Sequence, residues 1–145
     1  MKRLIYIICG IIAAGIATAI TIDSINENGS KPMSPEEVAE TFCIAIATGD
    51  FTQARSLCDM SSMSEYIRIC ARNWDFLANN DSTVVSIAKE MMGGICFRID
   101  NNIKDGNTRR IDYTISIGEG LKKSKTMSLK KEEGEWRVTM VTNRE

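Results

Sequence analysis

Histidine is absent from this 145-residue chain, which removes the commonest general base, metal ligand and pH switch. Carboxylates, thiols and tyrosines are what remain for chemistry. Two carboxylates, Asp100 and Asp112, fall where the sequence alternates strictly. Ile95, Phe97 and Ile99 interleave with Cys96, Arg98 and Asp100, and Ile111, Tyr113, Ile115 and Ile117 interleave with Arg110, Asp112, Thr114 and Ser116. Proton-transfer chemistry in a pocket needs a base on the inner face and a donor for the developing oxyanion. The period of two puts both aspartates on the polar face, and only a slip inverting the whole apolar set brings either one inside. Tyr113 alone offers a hydrogen bond on the apolar face. No catalytic residue is assigned.

The thiols give no stronger signal. Of five cysteines, Cys9 lies in an apolar N-terminal run, and Cys43, Cys58, Cys70 and Cys96 follow without Cys-x-x-Cys spacing. No metal site and no cofactor is predicted. An even number in an exported domain permits disulfides, and Cys43 and Cys58 flank Gly49-Asp50 almost symmetrically. Four buried free thiols, packing as small hydrophobes, are the expectation adopted.

The elements that position these groups read as helices followed by strands. Ser34-Pro35-Glu36-Glu37 combines a capping box with proline in the first turn, opening a helix from about Pro35 to Thr48. Val38, Ala39, Phe42, Cys43, Ala45 and Ile46 form its apolar stripe. Gly49 suits a left-handed terminus, and Asp50 caps a short second helix through Ala54 and Leu57. Ser62-Met63-Ser64-Glu65 predicts the start of a third, with Tyr66, Ile67, Cys70, Trp74 and Leu77 on one face. Thr83 to Met92 is read as a fourth helix, although Val84, Val85 and Ile87 also suit a strand.

From Ile95 the period is two. Strands led by Ile95, Ile111, Met127 and Trp136 are separated by Asp105-Gly106, Gly118-Glu119-Gly120 and Glu133-Gly134. The predicted inner face is Ile95, Phe97, Ile99, Ile111, Tyr113, Ile115, Ile117, Met127, Leu129, Trp136, Val138 and Met140. The expected fold is α+β, with helices packed on one face of a four-stranded antiparallel meander.

The N-terminus is an address. Lys2 and Arg3 precede an uncharged run from Leu4 to Ile22, and Asp23 follows, which predicts a cytoplasmic N-terminus with the remainder exported. Ala17-Thr18-Ala19 offers a cleavage site for a signal peptide, while the run is also long enough to stay as an anchor. The organisation is therefore residues 1–22 as signal peptide or signal anchor, 23–33 as polar linker and 34–145 as the domain. The location expected is periplasmic or at the cell envelope, attached to the membrane through residues 4–22 if they are uncleaved.

Charge is uneven along the domain. Residues 34–92 carry four basic and nine acidic side chains, and residues 93–145 carry eleven and eight. The overall net charge of -1 and the lack of a basic stripe with interleaved aromatics argue against nucleic acid. Arg109-Arg110, Lys122-Lys123-Lys125 and Lys130-Lys131 are read as solvated hairpin ends and strand faces that discourage edge pairing.

With Phe42, Ala45, Gly49-Asp50 and Ala54 in the helices and Leu129, Lys131, Gly134, Trp136 and Val138 at the end, the chain resembles the nuclear transport factor 2-like superfamily. It is most similar to a bacterial branch of secreted or envelope-attached domains, over roughly residues 34–142. The resemblance implies a curved sheet wrapped over helices into a conical pocket, often with a homodimer formed through the sheet. Members of that branch often carry a lipobox cysteine, and Cys9 lies in no such context. The superfamily also includes ketosteroid isomerase-like and dehydratase enzymes. Because the predicted inner face holds no carboxylate, the expectation is a non-catalytic domain that binds a small apolar molecule, a peptide or an envelope protein. Its candidate pocket lining is Phe97, Tyr113, Ile115, Met127, Trp136 and Met140.

Overall fold

A computed structural model describes residues 31–80, 83, 86, 90, 95–117 and 121–145. Helix α1 spans Pro35–Thr48, α2 Phe51–Ser56 and α3 Met60–Asn80. Strands β1 (Ile95–Asp105), β2 (Thr108–Ile117), β3 (Leu121–Glu132) and β4 (Glu135–Asn143) follow, and they form one antiparallel sheet in the order β1-β2-β3-β4. The expected meander is therefore present. The leader expected over residues 1–22 and most of the linker lie outside the described residues. Among the described residues no helix is long and apolar enough to cross a membrane. The helix expected over Thr83–Met92 also lies outside them, except that Thr83, Ser86 and Glu90 are helical.

Local chemistry sets the helix ends. The Ser34 hydroxyl accepts from the Glu37 amide at 3.2 Å, and the Ser34 amide donates to Glu37 Oε2 at 2.7 Å, closing the capping box. Gly49 ends α1 with φ 76°. A Cβ there would stand 2.1 Å from Nε1 of Trp74, so both backbone and packing demand glycine. Asp50 then caps α2 by accepting from the Gln53 amide at 3.0 Å.

The start of α3 differs from the expectation. Asp59, not Ser62, is the capping residue: its carboxylate accepts from the Ser61 amide at 3.0 Å and its carbonyl from the Met63 amide at 2.9 Å. Ser62 lies inside the first turn with its hydroxyl on Asp59, and Glu65 pairs with Arg68. An aspartate followed by two serines competes with the later capping box and wins, because its carboxylate meets orphan amides with a full negative charge.

Two irregularities shape the sheet. Ile99 and Asn101 face Tyr113 and Asp112, so Asp100 is an extra residue in β1; Ser128 and Leu129 face Met140 and Val138, so Thr139 is an extra residue in β4. Such bulges bend a strand and switch the faces of the residues beyond them. The link between α2 and α3 covers the edge of β4. The Val138 amide donates to the Leu57 carbonyl at 2.9 Å and the Asp59 amide to the Val138 carbonyl at 2.8 Å. The core lies between sheet and helices, with Phe42, Ile46, Met63, Ile67, Ile111, Met127, Leu129 and Val138 fully buried.

Candidate functional site

The concave face of the sheet carries two places where chemistry or binding can be argued, one near its middle and one beside the start of β4. Near the middle of β2, Tyr113 is buried and its ring lies 5.1 Å from that of Phe97. The Tyr113 hydroxyl stands beside the Cys43 thiol of α1 and lowers its pKa, and within α3 Tyr66 does the same to Cys70. Directly across from Tyr113 is Lys125 of β3, only 7% exposed. Burial drives the Lys125 amine below the usual lysine range, because a charge loses its hydration there. It also pushes the Cys43 thiol up to about 12 and Tyr113 well above its ordinary value. Among the described residues no carboxylate pairs with Lys125: Asp100 and Asp112 belong to the convex face, as alternation requires, and the Glu40 carboxylate of α1 acts on the Cys43 thiol, raising it further.

The second place is a groove of about 340 Å³ lined by Pro32, Met33, Val38, Leu57, Trp136 and Arg137, with Ser56 and Glu135 at its margin. The strand β4 contributes Trp136, α1 contributes Val38, and the segment before α1 contributes Pro32 and Met33. Arg137 is held by the Ser56 carbonyl and the Glu135 carboxylate. Trp136 is half-buried, with the Arg109 guanidinium 5.7 Å and the Lys131 amine 5.9 Å from its ring centroid, within the range of cation–π attraction.

The six expected lining residues are not brought together. Phe97, Tyr113, Ile115 and Met127 are buried in the core, Trp136 walls the groove at the far end, and Met140 is 46% exposed. Met140 is a correction, since the bulge at Thr139 turns it to the convex face opposite Ser128, and Val141 takes the inner position opposite Met127. The side chains of Ile95 and Ile117 lie outside the described residues. Lys125 is also corrected: it is a buried core residue, not part of a solvated basic face. Its parity with Met127 and Leu129 was the available signal. The four cysteines are free, with Cys43, Cys58 and Cys70 buried and Cys96 exposed, and no group of metal-ligating side chains occurs among the described residues.

Helices on the concave side of a bulged four-stranded sheet match a solved structure from Campylobacter jejuni, provisionally named an NTF2-like transpeptidase. That match has TM-score 0.56 and 18% identity over 74% of this chain and 99% of the other. The chain has the nuclear transport factor 2-like fold. An NTF2-like protein of unknown function from Cytophaga hutchinsonii aligns with TM-score 0.46 and 12% identity over 80% of this chain and 93% of that one. The protein "Rd1NTF2_04 with long sheet" aligns with TM-score 0.45 and 18% identity over 77% of this chain and all of its own length. No family model and no curated protein matches the sequence. In this fold the Tyr113–Lys125 cluster is buried between sheet and helices, and the Trp136 groove lies beside β4.

Proposed function

We propose that this is an exported binding domain whose groove beside Trp136 takes a small apolar molecule or the apolar part of a partner. The groove carries this reading. It is at the small end of the size range of ligand pockets, lined mainly by apolar side chains, with a few polar groups at the margin. The basic residues Lys2 and Arg3 before the uncharged run support the export component.

A second reading, a small isomerase or dehydratase, is favoured by one observation: an amine of lowered pKa beside a tyrosine inside the cone. That pair lacks the carboxylate base such enzymes use. The transpeptidase name of the Campylobacter jejuni neighbour finds little support in the buried thiols, since burial holds Cys43, Cys58 and Cys70 away from the reactive thiolate.

The test is titration of the full chain with a neutral fluorescent naphthylamine. Saturable binding is expected, lost in Trp136→Ala and kept in Lys125→Met. Binding lost in Lys125→Met and kept in Trp136→Ala would move the site to the cone and favour the enzyme reading.

A further inference from the structure

We propose that the groove's ligand is an anionic amphiphile, an unbranched alkyl chain of medium length ending in a carboxylate. The tail lies between Met33, Leu57 and Trp136, and the carboxylate reaches Arg109 and Lys131. This rests on the binding reading of the groove and adds the chemistry of what fills it.

Trp136 connects the two halves of the argument, because its side chain walls the groove and also stands beside two cations. The register places all three on the concave face, with Lys131 directly across from Trp136 and Arg109 across from Leu129. These cations differ from their neighbours in what holds them. Lys130 pairs with Glu132 at 2.9 Å, and Arg137 is taken by Glu135 and the Ser56 carbonyl. No salt bridge to Arg109 or Lys131 occurs among the described residues, and the Nε of Arg109 is buried with no hydrogen-bond partner. A buried guanidinium donor without an acceptor is costly, and a carboxylate supplies the geometry a guanidinium fork prefers. Of the carboxylates nearest in sequence, Glu132 and Glu135 are already engaged, and Glu133 sits on the exposed turn between β3 and β4, with no salt bridge to either cation.

The groove itself selects the tail. A peptide would bring backbone amides that need acceptors, and the few acceptors identified in the lining, the Ser56 carbonyl and the Glu135 carboxylate, already accept from Arg137. Burying unpaired amides is unfavourable. An alkyl chain needs no acceptor, and its contact with Pro32, Met33, Val38, Leu57 and the Trp136 ring gains from apolar burial alone.

Calorimetric titration of the full chain with dodecanoate, dodecanol and an apolar dipeptide separates the possibilities. Dodecanoate is expected to bind about tenfold or more tighter than dodecanol at low salt, as charge-assisted hydrogen bonds require, with the gap narrowing as salt is raised. Lys131→Gln, at an exposed side chain whose loss does not threaten folding, and Arg109→Gln should each pull dodecanoate towards the level of dodecanol. Trp136→Ala should abolish both. Equal binding of the two lipids, a preference that survives both charge variants, or tighter binding of the dipeptide would overturn the anionic-amphiphile assignment while leaving the groove a binding site. If neither lipid binds, or Trp136→Ala binds them unchanged, the groove reading falls as well.

Discussion

Asp112 and Tyr113 are consecutive in β2, yet the two faces of the sheet treat their polar groups in opposite ways. On the convex face, Asp112 accepts from the Thr126 hydroxyl at 2.6 Å and from Arg110 at 3.3 Å, with Arg144 at 3.7 Å. The bulge residue Asp100 accepts from Thr114 at 2.5 Å, Arg144 at 2.7 Å and Arg98 at 2.8 Å. Each carboxylate has several donors, and their hydrogen bonds, those from threonine foremost, hold both below the usual range, Asp100 at about 2. On the concave face, Tyr113, Tyr66, Cys43 and Cys70 lie together as neutral groups, while Lys125 brings a charge with no carboxylate paired to it among the described residues. Charge is neutralised by pairing outside and suppressed by burial inside. The difference locates the part of the molecule kept under electrostatic tension: it is the cone, through one lysine.

The largest test of that contrast is Lys125→Met, which keeps a long side chain and removes the charge. Burying a polar group without full compensation costs about 1–3 kcal/mol in protein cores, so the variant should be more stable than the parent at neutral pH by that order. The pH dependence has a fixed sign. The folded-state pKa of Lys125 is depressed, so between it and the ordinary lysine value of about 10.4 the unfolded chain holds more protons, and stability rises with pH. The variant's advantage should therefore shrink as pH climbs through that window. Above about pH 9 the Cys43 thiol works the other way, because its folded pKa is raised and the unfolded thiol ionises first; the comparison is therefore read below pH 9, since the Lys125 charge itself lowers the Cys43 thiol and its removal raises that thiol further. Urea melts from pH 7 to about 9 give the measurement. A Lys125→Met protein that is less stable at pH 7 would mean the amine is fully compensated, and the contrast between faces would fail.

How far the molecule was legible from its residues follows the same division between local and long-range causes. The capping box at Ser34, the left-handed Gly49 and the cap at Asp50 act within a few residues, and each appears where expected. The alternation of β1 to β3 was legible because one face must be buried, which set the faces of Tyr113 and Asp112 correctly. Thr139 was not legible as a bulge, since neither glycine nor proline marks it, and Met140 was misplaced with it. Lys125 was hidden by its company: two lysines just before it suggested a solvated run, although its parity with Met127 pointed inward. The groove was invisible because it is assembled from Met33, Val38, Leu57 and Trp136, which only tertiary packing unites. Trp136 was expected on the inner face of the sheet and in the pocket lining. As a half-buried groove wall, its loss should weigh more on binding than on stability.

A smaller effect tests the neutral half of the inner cluster. Tyr113→Phe keeps the ring packed on Phe97 and removes the hydroxyl beside the Cys43 thiol. An ordinary intramolecular hydrogen bond contributes about 0.5–1.5 kcal/mol, and the sulfur partner places this contact at the lower end. The Cys43 thiol should also become harder to ionise, since the hydroxyl lowers its pKa by donating to the thiolate. Slower alkylation of Cys43 at high pH, after correction for the change in global stability, is the expected reading. Unchanged kinetics would remove the hydroxyl–thiol contact from the account.

The smallest effect belongs to the convex face. Asp100 is only partly screened from water, and its partners Arg98 and Arg144 remain substantially exposed, so its strongly lowered pKa cannot be converted directly into stability. The sign is nevertheless fixed. A carboxylate whose folded pKa lies near 2 contributes stability that is complete above the unfolded value of about 3.9 and is lost as pH falls from there through 2. Asp100→Asn should therefore behave like the parent at pH 2 and be slightly less stable at pH 6, with the deficit reduced by salt. Thr114→Val removes the largest single cause of the lowered pKa and should reproduce part of that deficit without changing the charge. If Asp100→Asn lost as much stability as the buried lysine imposes, exposure would not be moderating the outer network. Cone and convex face would then differ only in sign.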